Sequence, residues 1–287
     1  MIDVASVALR ALSLLLLLQA LGIALFSATF GPAIPASLAR TRRAGQTLAV
    51  TAMIAVTAHY VLEAGRMAGE ISGVLDLSLQ RTLWDSSNGA AFASRLAGLI
   101  LVLAGLTGAW RPIVFLGAIL ASMSFALTGH TAVHTHRGLL AALLTLHVLI
   151  VAFWFGALWP LAVASLRETS AGASRVIERF TAMATWLVPL ILVAGAVMAA
   201  LLLPSVSALR EPYGRLLLSK VVGFALLMGL AAANKWRLGP ALASAGDRAG
   251  RRFRRSLAAE FVLIAAVLTI TTVMTSLFSP EVPSQRS

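Results

Sequence analysis

The sequence has no cysteine, few charged residues and few aromatic ones. Without cysteine there can be no disulfide, thiolate metal site or iron–sulfur cluster, so any metal chemistry has to use histidine and methionine. Only 12% of the 287 residues are charged and 59% are hydrophobic, which is more apolar surface than a soluble core of this size can bury. The chain is therefore predicted to face lipid, with almost nothing left over for a soluble domain.

What the sequence does contain is a series of long apolar stretches. Hydropathy and helix-breaking residues divide it into eight, each of about the length that crosses a ~30 Å hydrocarbon core as a helix. They cover approximately residues 5–27, 46–69, 91–109, 112–130, 137–163, 178–203, 214–235 and 255–278. The sequence predicts an all-α polytopic membrane protein, a single domain over 1–287 that forms a bundle of about eight transmembrane helices.

The first stretch also resembles a secretory signal peptide. Asp3 and Arg10 precede a run of leucines, as in the start of many such peptides. No small-residue cleavage site follows the run, however, and this favours an uncleaved first helix.

The basic residues alternate between successive connecting segments. Lys and Arg number 23 against 11 Asp and Glu, for a net charge of +12. Since Lys and Arg are retained on the cytoplasmic side of a membrane, this alternation predicts that both termini lie in the periplasm. We interpret the Arg-rich run 251–255 as a topology anchor that contacts lipid headgroups, with no nucleic-acid partner. Fourteen of the 23 fall on the predicted cytoplasmic side: Arg40, Arg42, Arg43, Arg111, Arg167, Arg175, Arg179, Lys235, Arg237, Arg248, Arg251, Arg252, Arg254 and Arg255.

Three of the five histidines crowd into one predicted periplasmic segment. His130, His134 and His136 lie within seven residues, between the fourth and fifth apolar stretches. Neutral imidazoles at this spacing can bind copper, zinc or nickel. The alternative is a solvated turn in which these histidines are merely polar.

The other two histidines, His59 and His147, lie inside apolar stretches, each roughly 15 Å from the predicted outer end of its helix. Polar groups at that depth are energetically expensive and usually functional. Glu63 follows His59 by four residues on the same helix face, and Met123 precedes His130 by seven residues, also on one face. These two lines of side chains are predicted to line a funnel that opens to the outside. Alternatively, the histidines donate interhelical hydrogen bonds and the methionine fills space.

Other charged residues inside the apolar stretches also need partners. Glu63 and Arg66 are predicted to form an outer-leaflet network with Arg95 and Lys220, unless these cations extend towards water. Glu260, near the inner end of the last stretch, is predicted to face Asn234, Lys235 and the arginine cluster, and to form a structural salt bridge with these basic residues.

Several motifs in the second half resemble the CopD family of copper resistance membrane proteins. In that family a Gly-His pair and a later Leu-His pair precede a Trp-x-Gly-x-Leu pattern. The resemblance covers roughly residues 129–278, whereas His59 and Glu63 depend on the depth argument alone, and His134 and His136 go beyond the family pattern. The matching segments are Gly129-His130, Leu146-His147, Trp154–Leu161, Arg179-Phe180, Tyr213–Lys220, Asn234–Pro240 and Glu260.

The resemblance implies a multi-pass protein of the bacterial cytoplasmic membrane that moves copper from periplasm to cytoplasm, supplied by a separate periplasmic carrier of the CopC type. The residues themselves indicate a transition metal of unknown valence, and the Irving–Williams order favours Cu(II) among divalent ions. We therefore predict a copper transport protein rather than an enzyme. The candidate metal ligands are His130, His134, His136, His147, His59, Met123 and Glu63.

Two other functions fit some of the same residues. His59 and His147, on separate helices, could be the axial ligands of a b-type haem in an electron carrier or membrane oxidoreductase. A copper sensor or delivery protein would bind the metal without moving it across the membrane.

Overall fold

A computed structural model describes residues 2–129, 135–202, 212–244 and 246–277. Throughout these ranges the chain is helical, with no strand, which confirms the predicted all-α class. The α-helices are α1 (Ile2–Phe30), α2 (Leu38–Ala68), α3 (Leu77–Trp84), α4 (Ser87–Gly108), α5 (Arg111–Met123), α6 (Arg137–Arg167), α7 (Ser170–Leu202), α8 (Pro212–Ala233), α9 (Gly239–Ser244) and α10 (Gly246–Leu277). Short 3₁₀ turns cover Gly31–Ala33, Ile71–Leu75 and Ser124–Leu127, and a π-helical turn covers Asn234–Leu238.

Seven of the described helices are long and apolar enough to cross a membrane, namely α1, α2, α4, α6, α7, α8 and α10. The remaining predicted stretch forms α5 and the 3₁₀ turn after it, a shorter apolar helix. This helix runs antiparallel to α4, because Ser94, near the start of α4, donates a hydrogen bond of 2.8 Å to the carbonyl of Leu120, near the end of α5. The pairing carries the chain back across the bundle and supports an eighth crossing.

Three helices begin eight or more residues earlier than hydropathy predicts. The second stretch is predicted from about residue 46, but α2 begins at Leu38; the sixth is predicted from about residue 178, but α7 begins at Ser170; and the last is predicted from about residue 255, but α10 begins at Gly246. All three additional segments carry arginines. Hydropathy detects only the part of a helix that faces lipid, whereas the helical hydrogen bonding continues into the charged turns outside it.

The first helix lies at the centre of the bundle, where α1 packs against α2, α4, α5, α6 and α10. It contacts α6 at backbone distance, because a Cβ added at Gly22 would overlap the Ala152 carbonyl and the Gly156 backbone. Beside this contact, the buried Gln19 donates a hydrogen bond of 2.9 Å to the Phe155 carbonyl. Small residues permit such close helix approach in membranes, and a side-chain amide adds a hydrogen bond across it.

Contacts between segments establish the two sides of the bundle. Ser37, after α1, donates to the Glu168 carboxylate, after α6, from its N–H at 2.9 Å and its hydroxyl at 2.6 Å. At the opposite side, Arg10 of α1 donates to Ser276 of α10 at 3.0 Å. We call the Glu168 side inner, because the predicted cytoplasmic arginines lie there, and the Arg10 side outer. The first and last helices therefore reach the same outer side.

The outer segment between α2 and α4 folds over the end of the bundle. It forms the 3₁₀ turn Ile71–Leu75 and α3. Gln80 of α3 donates hydrogen bonds to the carbonyls of Val61 and Val74, at 3.2 and 3.0 Å, which ties this segment to the end of α2.

Asp76 caps the N-terminus of α3, and its removal should loosen this helix. Its carboxylate accepts hydrogen bonds from the N–H and hydroxyl of Ser78 and from the N–H of Leu79, and these bonds hold the pKa of Asp76 below its ordinary value. Because the pKa of Asp76 is lower in the folded protein, its ionised carboxylate stabilises α3 at pH values above the ordinary carboxyl pKa. This stabilisation is lost as the pH falls through the lowered pKa. In Asp76→Ala we expect faster hydrogen exchange at the Ser78 and Leu79 amides at neutral pH.

The difference from the wild-type exchange rate should shrink in acid, where the wild-type carboxylate is protonated too. Asp85→Ala, at the C-terminal end of the same helix, is the matched control and should leave both amides unchanged. Equal amide exchange rates in Asp76→Ala and wild type at neutral pH would show that the Asp76 carboxylate does not stabilise the start of α3.

Candidate functional site

His59 lies on the outer half of α2 with an unused ring nitrogen. Its Nε2 is buried and has no hydrogen-bond partner among the described atoms. Glu63, one turn further out, is already engaged, because its carboxylate accepts from the Ser6 hydroxyl of α1 at 3.4 Å and pairs with Arg66 at 2.7 Å. The predicted Glu63–Arg66 ion pair is therefore confirmed, and it occupies the carboxylate that was expected to face a metal.

Three guanidinium groups lie around His59. Arg10, Arg66 and Arg95 each interact electrostatically with its ring, against one carboxylate, that of Glu63. Arg95 donates to the Ser124 hydroxyl at 2.9 Å and lies 4.7 Å from the centre of the Phe125 ring. Since like charges repel strongly in a medium of low dielectric constant, this surplus of positive charge disfavours a copper ion at His59.

His147 lies on α6, in a different environment. Its ring faces α7, where a Cβ at Gly195 would be 3.7 Å from Cε1, so the glycine leaves room beside the imidazole. The Nδ1 atom is buried, and the backbone of Ile191 on α7 lies beside the ring, but Nδ1 makes no well-formed hydrogen bond with the described residues. One cation, Lys220 of α8, interacts electrostatically with the ring. Lys220 therefore belongs with His147, not with the predicted network around Glu63.

The two buried histidines do not share surroundings. The groups around His59 come from α1, α2 and α4, whereas those around His147 come from α7 and α8. Axial ligands of one haem must face each other across the iron, and this arrangement gives no support to that alternative. Over the described ranges, no group of three or more His, Cys, Asp or Glu side chains could hold a metal ion.

The predicted outer capture segment is only partly visible. His130 and His134 lie outside the described residues. His136 is exposed and precedes α6, where its carbonyl accepts the Leu140 N–H at 3.0 Å. The side chain of Met123, at the end of α5, is 48% exposed and lies at the surface of the described bundle. The capture role of these residues stays a prediction.

A second polar group lies on the inner half, around Glu260 of α10. Its carboxylate accepts hydrogen bonds from Trp154 of α6, at 3.2 Å, and from Asn234. The predicted salt bridge is not present among the described residues, because Lys235 instead donates to the Thr185 hydroxyl at 3.1 Å. The contact with Asn234, at the start of the π-helical turn, confirms the predicted position of this residue beside Glu260.

Sequence reasoning overlooked Arg10 as a site residue. Arg10 precedes the leucine run of the first helix in the sequence, and the structure places it where it interacts electrostatically with the His59 ring. A usable signal was present, because an arginine inside an apolar stretch is itself an expensive exception in a membrane. Its partners could not be predicted, because they lie on other helices.

These features define a multi-pass α-helical membrane protein with unpartnered imidazole nitrogens inside its spans. Two family models match the chain: the copper resistance protein D-like N-terminal domain over residues 1–139, and copper resistance protein D over residues 174–274. The chain therefore belongs to the CopD family of copper resistance membrane proteins, which confirms the resemblance. No curated protein and no solved structure matches it.

The two matched ranges contain some of the candidate residues. His59, Glu63, Met123 and the three clustered histidines fall in the first range, and Glu260 falls in the second. His147 lies between the two ranges, so its role depends on its own environment.

Proposed function

We propose that this CopD-family protein is a transporter, not an enzyme, that moves copper across the bacterial cytoplasmic membrane from the periplasm to the cytoplasm. The observation that carries the proposal is the environment of His147, whose ring is buried beside Gly195 and whose Nδ1 makes no well-formed hydrogen bond with the described residues. A buried polar atom without a partner costs about 1–3 kcal/mol. Imidazole nitrogen is a common copper ligand, so binding of the metal would offset that cost.

Helix α6 connects the proposed capture and transfer sites. His136 directly precedes α6, and His147 lies about 16 Å further along its axis, at 1.5 Å per residue. Copper delivered by a CopC-type periplasmic carrier would meet His130, His134 and His136 first and then His147. His59, Glu63 and Met123 have a secondary part in this proposal, because guanidinium groups surround the first two and Met123 is exposed.

The position of Lys220 suits a transfer site better than a storage site. Its charge interacts with the His147 ring and would repel a bound copper ion. Conduction needs binding that is strong enough for entry and weak enough for release. Lys220 would therefore limit the residence time of copper at His147.

Replacing Lys220 with leucine, which removes the charge without adding a metal ligand, should tighten copper binding. For a separation on the order of 10 Å and an effective dielectric constant of about 20, the removal of one unit charge changes the binding free energy by roughly 1.7 kcal/mol, or at least tenfold in affinity. A competition titration with a chelator of known affinity measures the change. Lys235→Leu, whose lysine contacts Thr185 on the inner side, is the control and should keep the wild-type affinity. Unchanged or weaker binding in Lys220→Leu would exclude the electrostatic role.

Metal analysis with an absorption spectrum of the purified protein tests the proposal against its rivals. The proposal predicts bound copper and no haem. A haem protein would instead show a strong absorption band near about 400 nm and would purify with iron. A sensor or delivery protein would bind copper but produce no flux in liposomes, so a flux measurement on the same preparation distinguishes it.

A further inference from the structure

Glu260 is the most buried acidic side chain in the described chain, and its site is built from three elements. The residue is only 2% exposed. Trp154 of α6 donates from Nε1 to Oε2 at 3.2 Å, and Asn234, at the start of the π-helical turn, donates from Nδ2 to Oε1. Each carboxylate oxygen therefore accepts one hydrogen bond. The proposed copper pathway uses neither of these oxygens.

No cation neutralises this carboxylate within the described residues. Lys235 of the π-helical turn is hydrogen-bonded to Thr185 of α7, and among the described residues no charged group interacts electrostatically with Glu260. On its own helix, the nearest arginines, Arg254 and Arg255, precede it by more than one turn. The packed part of α1 contributes Gln19, whose amide donates to the Phe155 carbonyl.

An ionised carboxylate in such surroundings is costly. Taking a charge out of water without a paired cation costs several kcal/mol, even when neutral donors contact it. The aromatic rings of Phe155 and Phe261, with centres 4.8 Å apart, add apolar surface near the site. A neutral carboxylic acid avoids this cost but needs an acceptor for its proton.

Asn234 supplies that acceptor. Its Oδ1 is buried and has no hydrogen-bond partner in the part of the chain that the structure describes. Because an amide presents an oxygen acceptor on one side and an NH₂ donor on the other, turning it by about 180° exchanges the two. With Glu260 ionised, Nδ2 donates to Oε1; with Glu260 protonated, the Oε1 hydroxyl donates to Oδ1. Trp154 donates to Oε2 in both states.

We propose that Glu260, Asn234 and Trp154 form a proton-binding site in the inner half of the bundle. The carboxylate takes a proton from cytoplasmic water and returns it, and the Asn234 amide turns to match each state. The site lies on the inner half of the bundle, and the basic residues Lys235 and Arg237, which follow Asn234 directly, are exposed on that side.

The same geometry connects the proton site with His147. Trp154 follows His147 by seven residues, so the two lie on one face of α6, about 10 Å apart along its axis. Copper leaving His147 towards the cytoplasm would approach the carboxylate, and its positive charge would favour loss of the proton. This coupling rests on the proposed copper transport, whereas proton binding by Glu260 does not.

Infrared spectroscopy of the purified full-length protein in lipid tests proton binding without copper. We expect a protonated-carboxyl C=O band that shifts in D₂O, diminishes in alkali and is absent in Glu260→Gln. Glu178→Gln, an exposed acidic position near the inner end of α7, is the control and should keep the band. In Trp154→Phe the band should move to higher frequency, because the C=O loses a hydrogen bond but the proton remains.

The Trp154→Phe measurement keeps the proposal testable if Glu260→Gln does not fold. A spectrum of Glu260→Gln identical to wild type, or an unshifted band in Trp154→Phe, would overturn the proton site. Copper flux that loses its dependence on a pH gradient in Glu260→Gln supports the coupling, and flux with an unchanged dependence contradicts it. Failure of copper binding in the wild type would contradict the proposed function and leave the infrared result intact.

Discussion

Gly22→Val is expected to prevent assembly of the native bundle. A Cβ at Gly22 would overlap the Ala152 carbonyl and the Gly156 backbone, so α1 and α6 would have to separate. Overpacking a core commonly costs about 1–3 kcal/mol, and a clash with backbone atoms, which cannot change rotamer, should exceed that range. Because α1 packs on five other helices, the loss should spread through the bundle. The measurement is the yield of monodisperse protein after detergent extraction, followed by its thermal unfolding midpoint.

Gly229→Val provides the matched control. Gly229 is also helical and lies in α8, but nothing lies within 4 Å of a Cβ added there. Both substitutions place the same β-branched residue in an apolar helix, so their difference isolates the α1–α6 contact. If Gly22→Val unfolds at the wild-type temperature, the close approach of these helices is not needed for the fold.

His147→Ala is expected to reduce copper affinity at least tenfold. The substitution removes the imidazole whose buried Nδ1 lacks a partner, and alanine offers no replacement ligand. His147→Met should restore binding under reducing conditions, because a thioether is a soft ligand that suits Cu(I). Metal bound per chain, measured after dialysis against a weak chelator, compares the three proteins. Equal binding in His147→Ala and wild type would place the copper elsewhere.

The membrane architecture could be predicted because lipid imposes simple rules on composition. Each crossing needs a long apolar helix, and basic residues collect on one side, so the order and topology of the helices follow from hydropathy and charge. The ends of α2 and α10 could not be predicted in this way. Their first turns are charged but remain helical, and hydropathy does not register them.

The depth of a residue could be predicted more readily than its neighbours. Counting along a helix places His59 and His147 at similar depths, but it does not say which helices face them. That depends on lateral packing, above all on the contact of Gly22 with Gly156, which places α1 against α6. For the same reason the sequence predicted the ion pair of Glu63 with Arg66, three residues away, but not the placement of Arg10 beside His59.

The inner site illustrates the same limit at shorter range. Glu260 and the cationic Lys235 are a natural pair by charge, and the sequence predicts a salt bridge of this kind. The structure confirms Asn234 as a neighbour of the carboxylate but places Lys235 beside Thr185 instead. Charge and position therefore predict which residues lie near Glu260, but not which of two adjacent side chains makes the contact.

Copper flux into liposomes reconstituted with the full chain tests the central claim most directly. The wild type should accumulate copper inside the vesicles above the level of protein-free liposomes. The His130→Ala, His147→Ala double variant, reconstituted at equal density with the same helix content, should fall to the protein-free level. Wild-type flux no greater than that of protein-free liposomes, or undiminished flux in the double variant, would contradict copper transport through these histidines.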